Sequence, residues 1–256
     1  MVIQGQNEGI IKNIRSKKHH GIPPLKTGGN PMYFMESYPP FRMQTQTHHG
    51  SQHLPLQGSG PVTLRRIQEN LARHAPRTLA DSSELAHAAV AMILRAVDAT
   101  GEPEILIIRR AEHPQDPWSG HLGFPGGRVE PQDRSPEHTA QRETREELGV
   151  ALDSCAKLLG RLSELRARAR SRHIPLSIYP FVYELIEPVV LQLNGEVVET
   201  HWVPLHFFLD PANREPMPHP HDPERIVSSY PVGNRTIWGL SLAMLDELLF
   251  EVSTGG

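Results

Sequence analysis

Between Gly126 and Val150 the chain reads GGRVEPQDRSPEHTAQRETREELGV, and three of its acids, Glu143, Glu146 and Glu147, are spaced i, i+3, i+4. Ser135-Pro136-Glu137 predicts a helix start, with Ser as the cap, Pro at the first helical position and Glu at the positive end of the dipole. Gly149 predicts its end. At about 100° per residue, Ala140, Thr144 and Leu148 form a narrow, weakly apolar stripe, and the three glutamates share an arc of about 100° beside it. A solvated charged face would point away from the core. Like charges at i,i+4, as at Glu143 and Glu147, destabilise a helix by about a few tenths of a kcal/mol. A bound divalent cation would compensate, and clustered carboxylate oxygens suit a hard ion such as Mg²⁺, often alongside substrate phosphates. Arg142 and Arg145 are placed to restrain the carboxylates from the sides.

The stretch RETREELGV, Arg142 to Val150, with glycine upstream, resembles the Nudix box GX5EX7REUXEEXGU, where U is apolar. Arg142, Glu143, Glu146, Glu147 and Gly149 occupy its fixed positions. Thr144 stands where the box has an apolar residue, and Asp133 where it has its first Glu, counted from Gly127. The segment between Asp133 and Arg142 is one residue longer than the consensus. That spacing, with FPGG at Phe124 to Gly127, is similar to the branch containing coenzyme A pyrophosphatases. The resemblance covers about residues 75 to 250. It implies an α+β Nudix fold, an α/β/α sandwich with a mixed sheet in which the box forms a loop-helix-loop. It further implies Mg²⁺ or Mn²⁺ held by Glu143, Glu146 and Glu147. A glycine carbonyl, from Gly126 or Gly127, is an added ligand, with Gly127 the assignment. Arg142 is the orienting arginine, and Glu143, Glu146 and Arg142 form the catalytic set.

The implied reaction is hydrolysis of a nucleoside diphosphate linked to another moiety, with coenzyme A or acyl-coenzyme A as the expected substrate. Another diphosphate derivative, such as a dinucleotide or ADP-ribose, is the near alternative, and a non-catalytic nucleotide-binding module the distant one. The cations would neutralise phosphate charge and help form hydroxide from water. A further carboxylate from outside the box serves as ligand or base in this family; Glu196 and Glu199 are the two candidates. Upstream, LIIRRAEHPQDPWSGHLGFPGG departs from the coenzyme A motif at Ala111 and lacks one arginine between Arg110 and Gly120. Arg110 is the candidate phosphate contact and Trp118 a candidate stacking surface for a base.

These residues need elements to hold them. VTLRRIQENLARH spaces Leu64, Ile67 and Leu71 as an amphipathic helix. AHAAVAMILRAV, EILIIRRA, AKLLGRLSEL and IPLSIYPFVYELI predict strands, and VVETHWVPLHFFL a strand running into a short helix. In the last element, TIWGLSLAMLDELLFEV, Ile237, Leu240, Met244 and Leu248 mark one face of a final helix. RARARSR, with Arg166, Arg168, Arg170 and Arg172, reads as a basic loop. One mixed domain over 61–256 follows.

The chain has 256 residues, 38% of them apolar, and a net charge of -3 that is unevenly spread. Residues 1–60 carry six Lys/Arg against two acids; the remainder carries 20 against 27. The first stretch has paired prolines and glycines and no sustained period, and so predicts a disordered leader. It contains no secretory h-region, and nowhere does an apolar run reach the roughly 18 residues of a membrane span. The single Cys155 permits no intramolecular disulfide. The expectation is a cytoplasmic monomer or homodimer with a small nucleotide-derived substrate, and no nucleic-acid or membrane partner.

Overall fold

The computed structural model describes residues 62–97, 101–113, 119–168, 175–220 and 222–254. At its centre two long strands, β1 (Ala86–Val97) and β7 (Pro175–Leu185), pair in parallel from Ala86↔Leu176 to Leu94↔Glu184. Every other pairing in this sheet is antiparallel: β2 (Glu102–Arg110) lies against β1, and β8 (Val197–Pro204) against β2. Two short strands, β3 (Leu122–Gly123) and β4 (Gly126–Arg128), pair with β2 and β1. On the far side β5 (Ala156–Arg161) and β6 (Leu165–Arg168) both pair with β7.

Both faces of this mixed sheet are covered, which is why its strands read as near-continuous apolar runs. Alternation sorts them. Ala89, Ala91 and Ile93 of β1, with Leu106 and Ile108 of β2, pack on one side with Ala140 and Leu148 of α2 (Pro136–Leu148). Met92, Leu94, Ile105 and Ile107 face the other way. There they meet α1 (Leu64–Leu71), α4 (Leu205–Leu209) and α5 (Gly239–Thr254). A four-residue turn, α3 (Leu152–Cys155), follows α2. The layers are helix, sheet, helix, as an α/β/α sandwich requires.

Local chemistry sets the boundaries. The Thr63 hydroxyl accepts from the Arg66 N–H at 3.3 Å, capping α1, and Leu64, Ile67 and Leu71 are all buried. The region 210–238 holds structure that periodicity did not reveal. It is a three-stranded antiparallel sheet of β9 (Glu215–His219), β10 (Asp222–Val232) and β11 (Arg235–Trp238). Prolines at 216, 218, 223 and 231 hid it, because they break the alternation and lack the ladder donor. The expected final helix is corrected accordingly: Ile237 and Trp238 belong to β11, and the helix starts at Gly239. Gly239 has φ +64°, which permits the strand to turn directly into the helix. Ile237, Met244 and Leu248 still share one core. The expected basic loop is also revised, since Arg166 and Arg168 lie on β6, with Arg166 ion-paired to Asp81. Arg170, Arg172, Trp118 and the 1–60 leader lie outside the described residues.

Candidate active site

Helix α2 is bounded as its end residues dictate. The Ser135 hydroxyl accepts from the His138 N–H at 3.1 Å, and Gly149 closes the helix in the left-handed region at φ 69°. Ala140, Thr144 and Leu148 are buried against the sheet, and the Thr144 hydroxyl donates to the Ala140 carbonyl at 2.7 Å, so the stripe leaves no unsatisfied polar group. This fixes the depth of the glutamates beside it.

The three carboxylates occupy three depths. Glu147 is buried to 1% exposure, and its Oε2 accepts the Gly126 N–H at 3.0 Å. Arg110 donates to its Oε1 at 3.3 Å. Burial, with smaller contributions from the charges of Glu143 and Glu196, pushes its pKa up to about 8 despite those two partners. Glu143, part-buried, is raised for the same first reason, with Arg142 opposing and Glu146 and Glu196 adding to it. Glu146 is 54% exposed at the rim.

Arg142 ties this set to its support. Its Nε and Nη2 donate to the two oxygens of Asp133 at 3.0 and 2.9 Å, and Nη2 also reaches the Arg128 carbonyl at 3.1 Å. Its Nη1 donates to Glu143 at 2.9 Å and Glu146 at 3.2 Å. The Asp133 side chain is fully buried and accepts in addition from the Thr139 hydroxyl and the Glu130 N–H, both at 2.9 Å. Hydrogen bonds from Arg142, ahead of those other donors, hold its carboxyl well below the usual carboxylate range. Sequence reasoning met Asp133 only as a substituted box position and did not place it in the site. The signal was its position opposite Arg142 across the extra residue.

Glycines bring the backbone onto the carboxylates. A Cβ built on Gly127 would lie 2.3 Å from Glu143 Oε1, so this cradle exists only without a side chain. At Gly126 the conflict is with backbone: its Cβ would lie 2.3 Å from the Ala89 carbonyl, and its φ of +154° is itself strained for other residues.

The two carboxylates from outside the box separate by face. The segment before β8 is tethered to the end of α2, the Gln192 and Asn194 N–H groups donating to the Leu148 and Glu147 carbonyls at 2.8 and 3.0 Å. Its Glu196 carbonyl accepts from the Ala111 N–H at 2.7 Å, and the Glu196 charge acts on both Glu143 and Glu147. Glu199 is elsewhere. It pairs with Arg109 at 2.8 Å and His201 at 3.4 Å, on the sheet face that carries Ile105 and Ile107. Arg110, expected as a phosphate contact, is engaged with Glu147.

Among the described residues no three carboxylate or imidazole groups converge as in a formed metal centre. Arg142 takes up the Glu143 and Glu146 oxygens instead. The donor set nevertheless fits a hard divalent cation: all oxygen, excess negative charge, and one member buried against a glycine backbone with only partial compensation.

Residues 85–222 match the model of the NUDIX domain. The chain belongs to the Nudix family. An uncharacterized protein of Schizosaccharomyces pombe is 34% identical over 121 residues, which is 46% of this chain and 36% of that protein. The uncharacterized Nudix hydrolase NudL of Yersinia pestis is 30% identical over 173 residues, 64% of this chain and 79% of NudL. The chain therefore spans about a third of the yeast relative and most of the bacterial one. Neither name states a substrate. Among solved structures, a NUDIX hydrolase from Alicyclobacillus acidocaldarius is 16% identical over 66% of this chain and 93% of its own, with a TM-score of 0.44. The Nudix match ends at the start of β10, so most of the small sheet and α5 lie beyond it. No helix among the described residues is long and apolar enough to cross a membrane.

Proposed function

We propose that this Nudix hydrolase cleaves the pyrophosphate bond of a nucleoside diphosphate derivative in a reaction dependent on Mg²⁺ or Mn²⁺, with coenzyme A or acyl-coenzyme A as the substrate. The observation that carries the hydrolytic reading is the graded carboxylate set. Glu147 is buried under the glycine turn, Glu143 lies against Gly127, and Glu146 is at the rim, with Arg142 bridging the outer two to buried Asp133. A protein with no cation to bind gains nothing from burying mutually repelling acids in this way, which disfavours a non-catalytic module.

Glu143, Glu146 and Glu147 would hold the cation, together with the Gly127 carbonyl. When bound, the cation supplies charge neutralisation at the phosphates and lowers the pKa of water. The chain's own residues do the rest. Arg142, locked by Asp133, fixes the side-chain directions of Glu143 and Glu146, so that little reorganisation is needed as phosphate charge develops. Arg110 keeps one guanidinium edge at the innermost carboxylate and stands at the end of β2, where a phosphate would arrive. Glu196 is the acid outside the box that we assign as extra ligand or base, able to take the proton of the attacking water; Glu199 is already committed to Arg109 and His201.

Coenzyme A is favoured by FPGG and by the one-residue-longer box. The competing reading, a dinucleotide or ADP-ribose, is favoured by the arginine missing between Arg110 and Gly120. The deciding experiment is hydrolysis of coenzyme A, acyl-coenzyme A, NADH, ADP-ribose and nucleoside triphosphates with Mg²⁺ or Mn²⁺, products identified by mass. Release of a phosphopantetheine product establishes coenzyme A; cleavage of another member instead overturns it.

A further inference from the structure

At the end of the Nudix match and beyond it, His219 of β9, β10, β11 and the first turns of α5 form an open cleft of about 190 Å³. Trp238, His219, Arg225, Ser228, Leu242 and Asp246 line it. Ligand pockets for whole drug-sized molecules run about 300 to 1,000 Å³, so this cleft suits one ring system rather than an entire substrate. Its walls fit an aromatic heterocycle. Leu242 and Trp238 contribute apolar side chains to its lining, and Arg225, Ser228 and Asp246 contribute polar ones. Asp246 is held in place by a two-pronged pair with Arg214, at 2.8 Å on each prong.

Trp238 is a rigid platform. Its ring contacts His219 edge-on at 5.2 Å and His121 at 5.3 Å, yet it stays partly exposed where it meets the cleft. The same contacts connect the cleft to the carboxylate site. His121 is the residue whose carbonyl accepts from the Arg110 N–H at 3.1 Å, and Arg110 in turn contacts Glu147. Ile237 and Leu242 pack in the core on the α5 side of the sheet and Leu148 of α2 in the core on the other, so the cleft and the carboxylates lie on opposite faces, linked at the end of β2 through Trp238, His121 and Arg110.

We propose that the cleft receives the heteroaromatic base of the nucleotide substrate, with Trp238 as its stacking surface and Arg225 closing the outer wall. The identity of the ligand rests on the hydrolase reading above, in which the diphosphate lies at the carboxylates and the base is the part that extends past the end of β2. This gives the segment outside the family match a specificity role.

The test is calorimetric titration of the full chain with adenosine monophosphate, and with ribose 5-phosphate as the base-free control. Stacking of a base on an aromatic side chain is worth roughly a 5- to 150-fold change in affinity. Adenosine monophosphate should bind the wild type and Glu146→Gln alike, bind Trp238→Leu more weakly by a factor in that range, and recover most of its affinity in Trp238→Phe. Arg225→Ala, a change at an exposed side chain, should weaken binding without lowering the melting temperature. In hydrolysis, Trp238→Leu should raise KM more than it lowers kcat. Unchanged affinity in either Trp238→Leu or Arg225→Ala, or equally tight binding of ribose 5-phosphate, overturns the proposal. Normal turnover by Glu146→Gln would overturn the hydrolase reading while leaving the binding data to judge the cleft.

Discussion

Asp133 and Arg142 show how a single pair sets both stability and site geometry. Hydrogen bonds to charged groups contribute about 1.5 to 3 kcal/mol. Asp133→Ala should therefore lower unfolding free energy by about that amount in denaturant titration, and reduce turnover as well, since Arg142 would lose its anchor. The pH dependence has a definite sign. Asp133 titrates below its unfolded value because of Arg142, so its contribution to stability is present above about pH 4 and is lost as pH falls further toward the folded value. In Asp133→Asn, stability should vary less with pH below about 4 than in wild type, and an identical acid limb would contradict the assignment. The two carboxylates from outside the box, Glu196 and Glu199, separate similarly. Glu196→Gln should cut kcat with little change in melting temperature, whereas Glu199→Gln should leave kcat near wild type. Equal effects on turnover would show that the face argument is wrong. Depth is what the sequence could not express: spacing put three glutamates on one arc, but only packing against β1 and β4 made Glu147 an interior residue and Glu146 a surface one.

At the scale of elements, the turn from β3 through β4 decides how closely the backbone approaches α2. Its two glycines should fail differently. Gly126→Ala forces a side chain into the Ala89 carbonyl at a strained φ and should cost stability. Gly127→Ala meets only the end of the Glu143 side chain, which can swing away, so it should fold nearly normally and lose activity. Melting temperature and turnover measured on both variants check the contrast; destabilisation of Gly127→Ala equal to that of Gly126→Ala would refute it. Helix α2, strands β1, β2 and β7 and the β8–α4 run were legible because their patterns obey one period and carry clear end signals, such as Ser135-Pro136 and Gly149. Strands β9 and β10 were not. Their prolines and exposed polar positions conceal pairing that exists because β11 and α5 complete it, and Ile237 fitted a helical period while lying on a strand.

For the whole molecule, the core facing α1 and α5 includes residues well past the Nudix match. Leu245, Leu248 and Val252 are at 0% exposure in the same cluster as Met92 and Ile105 of the central sheet. A chain ending at residue 222 would open that face, and losing even one such leucine to alanine costs about 2 to 5 kcal/mol. The truncated chain should lack a cooperative melt and bind hydrophobic dye; a cooperative melt near that of the intact chain would mean that the small sheet and α5 form a separate unit. The site depends on the same integrity, because β1 and β2 carry the backbone on which Gly126, Gly127 and Arg110 are placed. The proposed hydrolysis requires Glu143, Glu146 and Glu147, set at graded depths beside Arg142 and Arg110, to hold a divalent cation. The most direct measurement is cleavage of the diphosphate panel by wild type and Glu146→Gln, each with Mg²⁺, with Mn²⁺ and with chelator. Wild type should cleave only with metal, and Glu146→Gln should be slower by about 10²-fold or more, the scale of losing one charge-stabilising group, with its melt unchanged. Cleavage that survives chelator, or normal turnover in the variant, would contradict the account.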